Sequence, residues 1–449
     1  MGRLFGTDGV RGVANERITC ELAMQIGRAA ATVLSDHARR RPVFVVGMDT
    51  RISSDMLGCA LTAGLCSVGA DMYQLGVIPT PAVAFLVGKY KADAGVMISA
   101  SHNSAEFNGI KIFSGDGYKL PDDLEEQIEA IVLDGEEKPV LRVGDDVGKV
   151  EVKTNAIKDY VDHLKSTIPV SLSGLSLAVD CANGSAAMTA RRLFTELGAD
   201  CHVLFDRPDG VNINAGCGST HMEELQARVR AEGAHIGVAF DGDADRFLAV
   251  DEKGNLVDGD QIMAIVGKYM KEKGMLKGDT IVATVMSNLG FFKMGEREGI
   301  KIEQTKVGDR YVLERMQEIG ASLGGEQSGH IIFLDEATTG DGLLSALHLL
   351  QVMADTKKPL SELAEVMQVM PQALVNAKVP THKKDNYMDY QEIRDAIAAL
   401  DEKFAGNGRV LIRPSGTEPL VRVMIEGQDQ KEIDAEAKKL AELMQTTLL

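Results

Sequence analysis

Short apolar runs along the chain alternate with segments predicted to be helical, and one order of elements recurs three times. Each recurrence has an apolar strand, a helix that ends near a glycine, and a second strand. The three elements are 43–47, 56–68 and 72–75 in the first stretch, 177–180, 187–197 and 201–205 in the second, and 280–285, 289–298 and 301–305 in the third. Such alternation is typical of a mostly parallel α/β sheet. The recurrence predicts three related mixed-sheet α/β domains.

Each stretch continues through another helix to a third strand, which runs directly into a polar cluster. The third strands are predicted at 95–98, 236–240 and 321–324, and apolar return strands follow at 110–113, 247–250 and 331–334. The clusters are S-A-S-H-N from Ser99, D-G-D-A-D-R from Asp241 and G-E-Q-S-G-H from Gly325. Ligands of open α/β sheets bind beyond the carboxyl ends of the strands. We therefore expect the three clusters to face a common cleft.

The last part of the chain departs from this order. From about Met370 the pattern predicts a small α+β domain built on a hairpin, with helices at 390–400 and 431–444 around strands at 409–412 and 420–425. Candidate domain boundaries lie at 135–148, 169–174 and 370–371. The predicted domains are 1–150, 151–255, 256–370 and 371–449.

The amino-acid composition indicates which classes of protein and partner are excluded. A chain of 449 residues with 45% hydrophobic and 25% charged residues is an ordinary globular one of several domains. It has no apolar run that could span a bilayer and no signal-peptide core, so we expect no membrane partner. The net charge of −18 argues against nucleic-acid binding. Six cysteines without a C-x-x-C pair predict thiols in a reducing cytoplasm.

Three carboxylates lie within five residues at Asp241, Asp243 and Asp245, here called the Asp triad. Carboxylates this close repel one another unless a cation lies among them. An EF-hand is an alternative, with Glu252 as its last ligand, but Arg246 occupies the position of the required glycine and the flanks are strands. A solvated acidic turn is the plain structural interpretation. Hard oxygen ligands with room for a phosphate oxygen favour Mg²⁺.

The Ser101 turn, residues 99–104, places three hydroxyls, an imidazole and an amide where a buried strand ends. It could be a polar turn that only caps a helix. A hydrolase serine is a rival interpretation, but the G-x-S-x-G elbow is missing. Together with a Mg²⁺ site, Ser101 becomes a candidate phosphoryl carrier, because the metal neutralises charge on the group being transferred.

Two further loops carry candidate binding residues. The Arg413 loop, residues 413–417, combines an arginine, two hydroxyls and a glycine, which is typical of an anion nest but also of a plain turn. The Glu326 turn, residues 325–330, offers hydroxyl-binding groups and a histidine for proton transfer, or is a surface turn. Other cations that could meet phosphate or form structural ion pairs are Arg11, Lys306, Arg310 and Arg422.

Taken in order, these motifs resemble the α-D-phosphohexomutase family. The resemblance covers essentially the whole chain, from F-G-T-D-G-V-R-G at Phe5 to R-P-S-G-T-E-P at Arg413. It implies three related α/β domains and a small C-terminal domain around a central cleft, one Mg²⁺ per chain, and a sugar-1,6-bisphosphate intermediate.

The resemblance also implies residue roles. The phosphoserine would be Ser101, and the metal ligands would be Ser101, Asp241, Asp243 and Asp245. The groups that move protons or stabilise charge would be His102, Lys111, Arg246 and His330. The residues that bind the sugar phosphate would be Arg11, Lys306, Arg310, Glu326, Ser328, Arg413, Ser415, Gly416, Thr417 and Arg422.

The opening motif and Gln327 resemble the branch that acts on glucosamine phosphates. That branch interconverts glucosamine 6-phosphate and glucosamine 1-phosphate through glucosamine 1,6-bisphosphate, and it feeds UDP-N-acetylglucosamine and cell-wall precursor synthesis. Mannose or glucose phosphate as substrate, or a catalytically silent sugar-phosphate sensor, are the alternatives. A homodimer stays open, as does priming of Ser101 by a kinase or a bisphosphate. Ser104 stands where the family loop usually has proline, so we expect a slightly looser turn.

Overall fold

The computed structural model describes residues 3–6, 8–34, 41–135, 138–415 and 419–448. The chain divides into two compact units. The first comprises Met1–Met286 and Gly299–Val366, and the second comprises Ser287–Glu298 and Met367–Leu449. Strands and helices are numbered below in chain order. No helix in the described ranges combines the length and hydrophobicity that crossing a bilayer requires.

The first unit begins with a six-stranded sheet in the order β1-β5-β4-β2-β3-β6. Its strands are β1 (Val10–Val13), β2 (Val43–Met48), β3 (Asp71–Val77), β4 (Ala94–Ile98), β5 (Phe107–Ser114) and β6 (Val150–Val152), and its helices are α1 (Cys20–Leu34), α2 (Ile52–Ser67), α3 (Thr80–Tyr90) and α4 (Asp122–Glu129). Helices α1 and α2 share a core with Ala94, Val96 and Ile98 on one face of β4, and α3 packs against Gly95 on the other face, which explains why β4 is apolar at every position. The sequence pattern did not predict β1 or β6, and α2 begins four residues before its predicted start.

Two further sheets repeat the central part of the first. The second sheet has the order β11-β10-β9-β7-β8 and the third has the order β13-β12-β14-β15. The strands are β7 (Ser176–Asp180), β8 (Asp200–Leu204), β9 (Ile236–Phe240), β10 (Phe247–Asp251), β11 (Leu256–Val257), β12 (Thr280–Thr284), β13 (Lys301–Thr305), β14 (Leu323–Gly325) and β15 (Ile331–Phe333). The helices are α5 (Ala156–Thr167), α6 (Ala190–Glu196), α7 (Glu223–Glu232), α8 (Gly259–Glu272), α10 (Asp309–Ile319), α11 (Gly342–Thr356) and α12 (Leu360–Ala364).

The repeat is visible in the strand pairing. In each sheet a central strand pairs in parallel with two neighbours, as β2 does with β3 and β4, β7 with β8 and β9, and β12 with β13 and β14. The last of these then turns back into an antiparallel strand, as β5, β10 and β15. The predicted mixed-sheet α/β class is confirmed. The Ser101 turn, the Asp triad and the Glu326 turn therefore occupy equivalent strand ends.

The second unit is an antiparallel sheet in the order β16-β18-β17, with helices packed on it. Its elements are α9 (Leu289–Glu298), β16 (Gln372–Lys378), α13 (Gln391–Phe404), β17 (Arg409–Pro414), β18 (Leu420–Glu426) and α14 (Gln430–Thr447). The predicted hairpin is present as β17 and β18, with β16 as a third strand. Helix α9, predicted within the third repeat, belongs to this unit because the amide of Asn288 donates to Met370 O at 2.9 Å and the N–H of Leu289 donates to the Glu426 carboxylate at 3.2 Å.

Candidate active site

Ser101 lies in the turn between β4 and β5 with its side chain enclosed. The residue is 1% exposed and has a positive φ of +50°, a left-handed conformation that serine rarely adopts. Its N–H donates to Ser99 Oγ at 2.9 Å, and its own Oγ donates to Asp241 Oδ2 at 2.6 Å. The predicted serine therefore contacts the predicted metal cluster directly.

The Asp triad occupies the turn between β9 and β10. All three carboxylates are buried, and their ligand atoms lie within 4.8 Å of one another. Burial and the charges of the other two carboxylates raise the pKa of Asp241 well above its usual range. One buried oxygen of Asp243 and one of Asp245 have no hydrogen-bond partner among the described residues. Converging hard oxygens with unused lone pairs fit a small divalent cation.

Two polar residues, Thr80 and Asn214, link the parts of the chain that form the first two sheets. Thr80, at the start of α3, donates from Oγ1 to Asp243 Oδ2 at 2.6 Å and from its N–H to Asp243 O at 2.9 Å. In return, Asn214 Nδ2 donates to the carbonyl oxygens of Ser101 at 2.8 Å and Asn103 at 2.9 Å. The Asp triad is thus held by a residue next to the first sheet, and the Ser101 turn is held by a residue next to the second sheet.

Lys111 projects from β5 into a cage of carboxylates. Its Nζ lies 2.8 Å from Asp243 Oδ2, 3.1 Å from Asp8 Oδ2 and 3.6 Å from Asp245 Oδ2, and the residue is 2% exposed. Burial alone would lower the pKa of Lys111, but the three carboxylates outweigh it and raise that pKa. The ammonium is therefore charged at neutral pH, which suits it to charge stabilisation.

His102 and Arg246 lie beside the serine. His102 Nδ1 is 3.2 Å from Ser101 Oγ and 3.2 Å from Arg246 Nη1. Burial, then the charges of Arg246 and Arg11, lower the pKa of His102 to about 4. An uncharged imidazole facing a guanidinium uses Nδ1 as an acceptor. The Nδ1 lone pair of His102 therefore lies beside the serine hydroxyl and is shared with no donor other than Arg246 and Ser101 among the contacts of the described residues.

An ion-pair network that the sequence did not predict lies next to the Asp triad. Lys119 Nζ bridges Asp8 Oδ1 at 2.7 Å and Asp309 Oδ2 at 2.5 Å. Asp8 also pairs with Arg11. His330 is buried between Asp245 and Asp309, with ring nitrogens 3.6 Å from a carboxylate oxygen of each. The structure thus places His330 where it can orient a carboxylate of the triad.

The Glu326 turn is less enclosed than the Ser101 turn. Glu326 and Gln327 are half-buried, and Ser328 is exposed. Burial raises the pKa of Glu326, whose Oε1 accepts from the N–H of Gly308 at 3.1 Å. Gln327 Nε2 donates to Asp258 Oδ2 at 3.0 Å, and Asp258 caps α8. The turn is therefore anchored through Gln327.

The two cations predicted upstream of this turn have different surroundings. Lys306 is exposed, with Nζ 6.0 Å from the centre of the Tyr311 ring. Arg310 pairs with Asp122, and it also lies 3.2 Å from Glu314 and 3.7 Å from Glu125. Carboxylates on α4 and α10 thus occupy the guanidinium that was predicted to bind phosphate, and its substrate role stays a prediction.

Within the second unit, Arg413 and Arg422 lie directly opposite each other on β17 and β18. Guanidinium groups on two facing residues can both contact a single phosphate. The N–H of Ser415 donates to Leu420 O at 2.9 Å, and Lys384 Nζ, a cation that was not predicted, donates to Ser415 O at 2.5 Å. Gly416 and Thr417, predicted for phosphate binding, lie outside the described residues.

Some residues around the site carried a sequence signal that the predictions did not use. Asp49 and Arg51 follow the buried strand β2, as the predicted clusters follow β4, β9 and β14. The strand-end rule therefore applied to them as well. Lys119 and Asp309 had no such signal, because they meet across 190 residues of sequence.

Family models match the chain along most of its length. Those for the phosphoglucomutase/phosphomannomutase alpha/beta/alpha domains I, II and III match residues 2–139, 158–254 and 258–370, and the one for the C-terminal domain matches residues 374–443.

Individual proteins are similar over the full length as well. A protein of Ruminiclostridium cellulolyticum named phosphoglucosamine mutase is 57% identical over 448 residues, covering 100% of both chains. The crystal structure of a phosphoglucomutase/phosphomannomutase family protein from Burkholderia thailandensis has a TM-score of 0.80 at 26% identity, covering 98% of this chain and 97% of that one. The N-acetylphosphoglucosamine mutase of Aspergillus fumigatus, crystallised with GlcNAc-6P and magnesium, has a TM-score of 0.70 at 18% identity, covering 99% and 96%.

Proposed function

The chain belongs to the phosphoglucomutase/phosphomannomutase family and is a phosphohexomutase isomerase, and we propose that it interconverts glucosamine 6-phosphate and glucosamine 1-phosphate. The observation that carries the chemistry is the 2.6 Å contact between Ser101 Oγ and Asp241 within the Asp triad. The choice of sugar is supported by full-length similarity, at 57% identity, to a protein named phosphoglucosamine mutase.

In this mechanism Ser101 carries a phosphoryl group and transfers it to the free hydroxyl of the sugar monophosphate. The bond between Ser101 Oγ and phosphorus breaks, a bond from the sugar oxygen to phosphorus forms, and the hydroxyl proton is lost to a neighbouring base. The product is the 1,6-bisphosphate. In the second half the other phosphate returns to Oγ by the reverse of this step, which regenerates the carrier and releases the isomeric monophosphate.

The residues around Ser101 stabilise charge, transfer the proton and orient the reacting groups. Lys111 is held charged by its three carboxylates, so it stabilises the negative charge of the transferring group. His102, neutral and with Nδ1 3.2 Å from Oγ, accepts and returns the proton of the reacting hydroxyl. Arg246 Nη1 lies 3.2 Å from His102 Nδ1 and orients the ring, and this contact is given up when Nδ1 takes the proton. His330 acts behind Asp245 as an orienting group.

Asp241, Asp243 and Asp245, with an oxygen of phosphorylated Ser101, would hold one Mg²⁺ per chain. Their unpartnered buried oxygens support this assignment, as does the magnesium present in the complex of the Aspergillus fumigatus enzyme. When bound, the ion supplies a positive charge that offsets the phosphoryl oxygens during transfer.

Sugar and phosphate contacts are assigned to the less enclosed loops. Glu326 and Ser328 would bind sugar hydroxyls. The non-reacting phosphate is assigned to Arg413, Ser415, Gly416, Thr417 and Arg422, with Arg11, Lys306 and Arg310 as further cations. The cross-strand pair of Arg413 and Arg422 supports the phosphate assignment.

Three finer points remain sequence-based proposals. All six cysteines are free thiols, which supports a reducing cytoplasm as the compartment. A homodimer stays a prediction. Priming of Ser101 by a kinase or by a sugar bisphosphate is likewise a prediction, and intact-mass analysis after incubation with glucose 1,6-bisphosphate checks the second route.

The test is a coupled assay of purified full-length chain with Mg²⁺ and glucose 1,6-bisphosphate on the 1-phosphates of glucosamine, glucose and mannose. We expect the highest kcat/KM on the amino sugar and a phosphoryl adduct on Ser101 by mass spectrometry. A higher value on glucose or mannose 1-phosphate would reassign the substrate. Binding without turnover on any of the three would identify a sensor and overturn the proposal.

A further inference from the structure

Arg51 lies beneath the Ser101 turn, and no role is assigned to it above. It follows β2 at the N-terminus of α2 and is 2% exposed. Its Nε donates to Asp49 Oδ2 at 2.8 Å. Asp49 also accepts from Ser54 Oγ at 2.9 Å and from Ser99 Oγ at 2.7 Å. With its carboxylate held on several sides, Asp49 fixes the plane and direction of the guanidinium.

The outer edge of that guanidinium binds the backbone of the Ser101 turn. Nη2 donates to the carbonyl oxygens of Ser101 at 2.9 Å and Asn103 at 2.8 Å, and Nη1 donates to the carbonyl oxygen of Ser104. Asn214 donates to two of the same oxygens from the second sheet's part of the chain. Three carbonyl groups of the turn thus point at one buried cation.

This arrangement explains how Ser101 keeps an unfavourable backbone conformation. A serine with φ of +50° persists only where its surroundings determine the conformation. Proline would restrict the turn locally, but residue 104 is serine. The hydrogen bonds from Arg51 act on carbonyls on both sides of His102, so they restrain the turn from a distant part of the chain.

We propose that Arg51, oriented by Asp49, is the positioning residue of the Ser101 turn: it holds Ser101 in its left-handed conformation with Oγ directed at the Asp triad. Arg51 does not touch the reacting atoms. It therefore acts on the rate of phosphoryl transfer and leaves sugar-phosphate binding nearly unchanged. The inference rests on the proposed function, since it assigns Arg51 a part in that reaction.

The experiment compares Arg51→Lys, Arg51→Ala and Arg28→Ala with the parent chain. Arg28 is the matched control, because it is a half-buried arginine of the same sheet's helices that donates to Ser67 Oγ at 3.0 Å, away from the turn. Thermal melting first establishes which variants fold. Then kcat and KM are measured on glucosamine 1-phosphate, and Arg51→Ala is assayed again with added guanidinium chloride at millimolar concentration.

We expect Arg51→Lys to fold and to lose roughly 100-fold in kcat, because a displacement of about 1 Å at a reacting group has an effect of that order. KM should stay within about threefold, as for a residue that acts only on the reacting geometry. Free guanidinium should restore part of the kcat of Arg51→Ala and leave Arg28→Ala unchanged. If Arg51→Ala does not fold, the kcat of Arg51→Lys alone tests whether Arg51 positions the turn.

A folded Arg51→Lys with the parent's kcat would overturn the inference. So would a loss that appears equally in Arg28→Ala, because that result would mean a general effect on stability. A parent chain without turnover on any sugar phosphate would overturn the proposed function instead, so the two failures are distinguishable.

Discussion

The Ser101 turn and the Glu326 turn follow equivalent strands, β4 and β14, yet they are built differently. The Ser101 turn is buried, and Arg51 and Asn214 bind its carbonyl oxygens. The Glu326 turn is half-buried, exposes Ser328, and is anchored through Gln327. The first must present one oxygen to one metal cluster. The second is assigned to a sugar that must bind in two orientations. This repeat is therefore enclosed where a bond forms and more open where a ligand is recognised.

Removing the serine hydroxyl gives the sharpest test of this contrast. Ser101→Ala should lower kcat on glucosamine 1-phosphate by roughly 10⁴-fold or more, because no other group can carry the phosphoryl. Ser328→Ala in the Glu326 turn should mainly raise KM. Ser166→Ala, on the exposed part of α5, is the control for losing a hydroxyl. Steady-state assays measure all three, and comparable kcat losses at Ser101 and Ser328 would contradict the division between the turns.

Metal removal should come next in size. Dialysis against EDTA should lower kcat by roughly 10³-fold, because a bound divalent cation supplies several kcal/mol of charge stabilisation in the transition state. Added Mg²⁺ should restore the activity, and EDTA already saturated with Mg²⁺ is the matched control. Full turnover in chelator, with the protein still folded, would mean that the Asp triad works without a metal.

The pH dependence of stability tests the burial of the Ser101 turn. His102 has a pKa of about 4 in the folded protein against its ordinary 6.5, so the unfolded chain binds more protons between these values. The associated stability is complete above pH 6.5 and is lost as the pH falls towards 4. Because part of the ring is solvated, we expect roughly 2 kcal/mol. Urea unfolding at pH 7 and pH 4.5 should give a smaller difference for His102→Gln than for the parent. Equal differences would show that the imidazole is solvated.

The anchor of the Glu326 turn should have the smallest effect. Gln327→Met removes the hydrogen bond to Asp258, which is worth about 1 kcal/mol, so KM for glucosamine 1-phosphate should rise roughly fivefold with little change in kcat. Gln226→Met is the matched control, since Gln226 Nε2 donates to Gly254 O at 2.9 Å. A large loss of kcat at Gln327 would show that the Glu326 turn is as demanding as the Ser101 turn.

The sequence was sufficient for the repeat, the Asp triad and Ser101, because each depends on apolar runs and on residues adjacent along the chain. The environment of Lys111 was not predictable in this way. Its carboxylate partners come from β1's preceding loop and from the β9–β10 turn, and pairing over such separations leaves no local pattern. The role of Arg51 was missed for a different reason. Its position after a strand could be read from the sequence, but its three partners are backbone carbonyl oxygens, which every residue has.

The position of helix α9 affects how the chain folds during synthesis and where it can be cut into fragments. It is encoded between β12 and β13 but packs within the second unit, where the carboxylate of the buried Glu426 accepts from the N–H of Leu289. During synthesis, residues 287–298 leave the ribosome long before the strands they pack with. Contacts of such sequence separation form slowly. A fragment starting at residue 367 would leave Glu426 without that partner, so a transplantable C-terminal module must carry α9 with it.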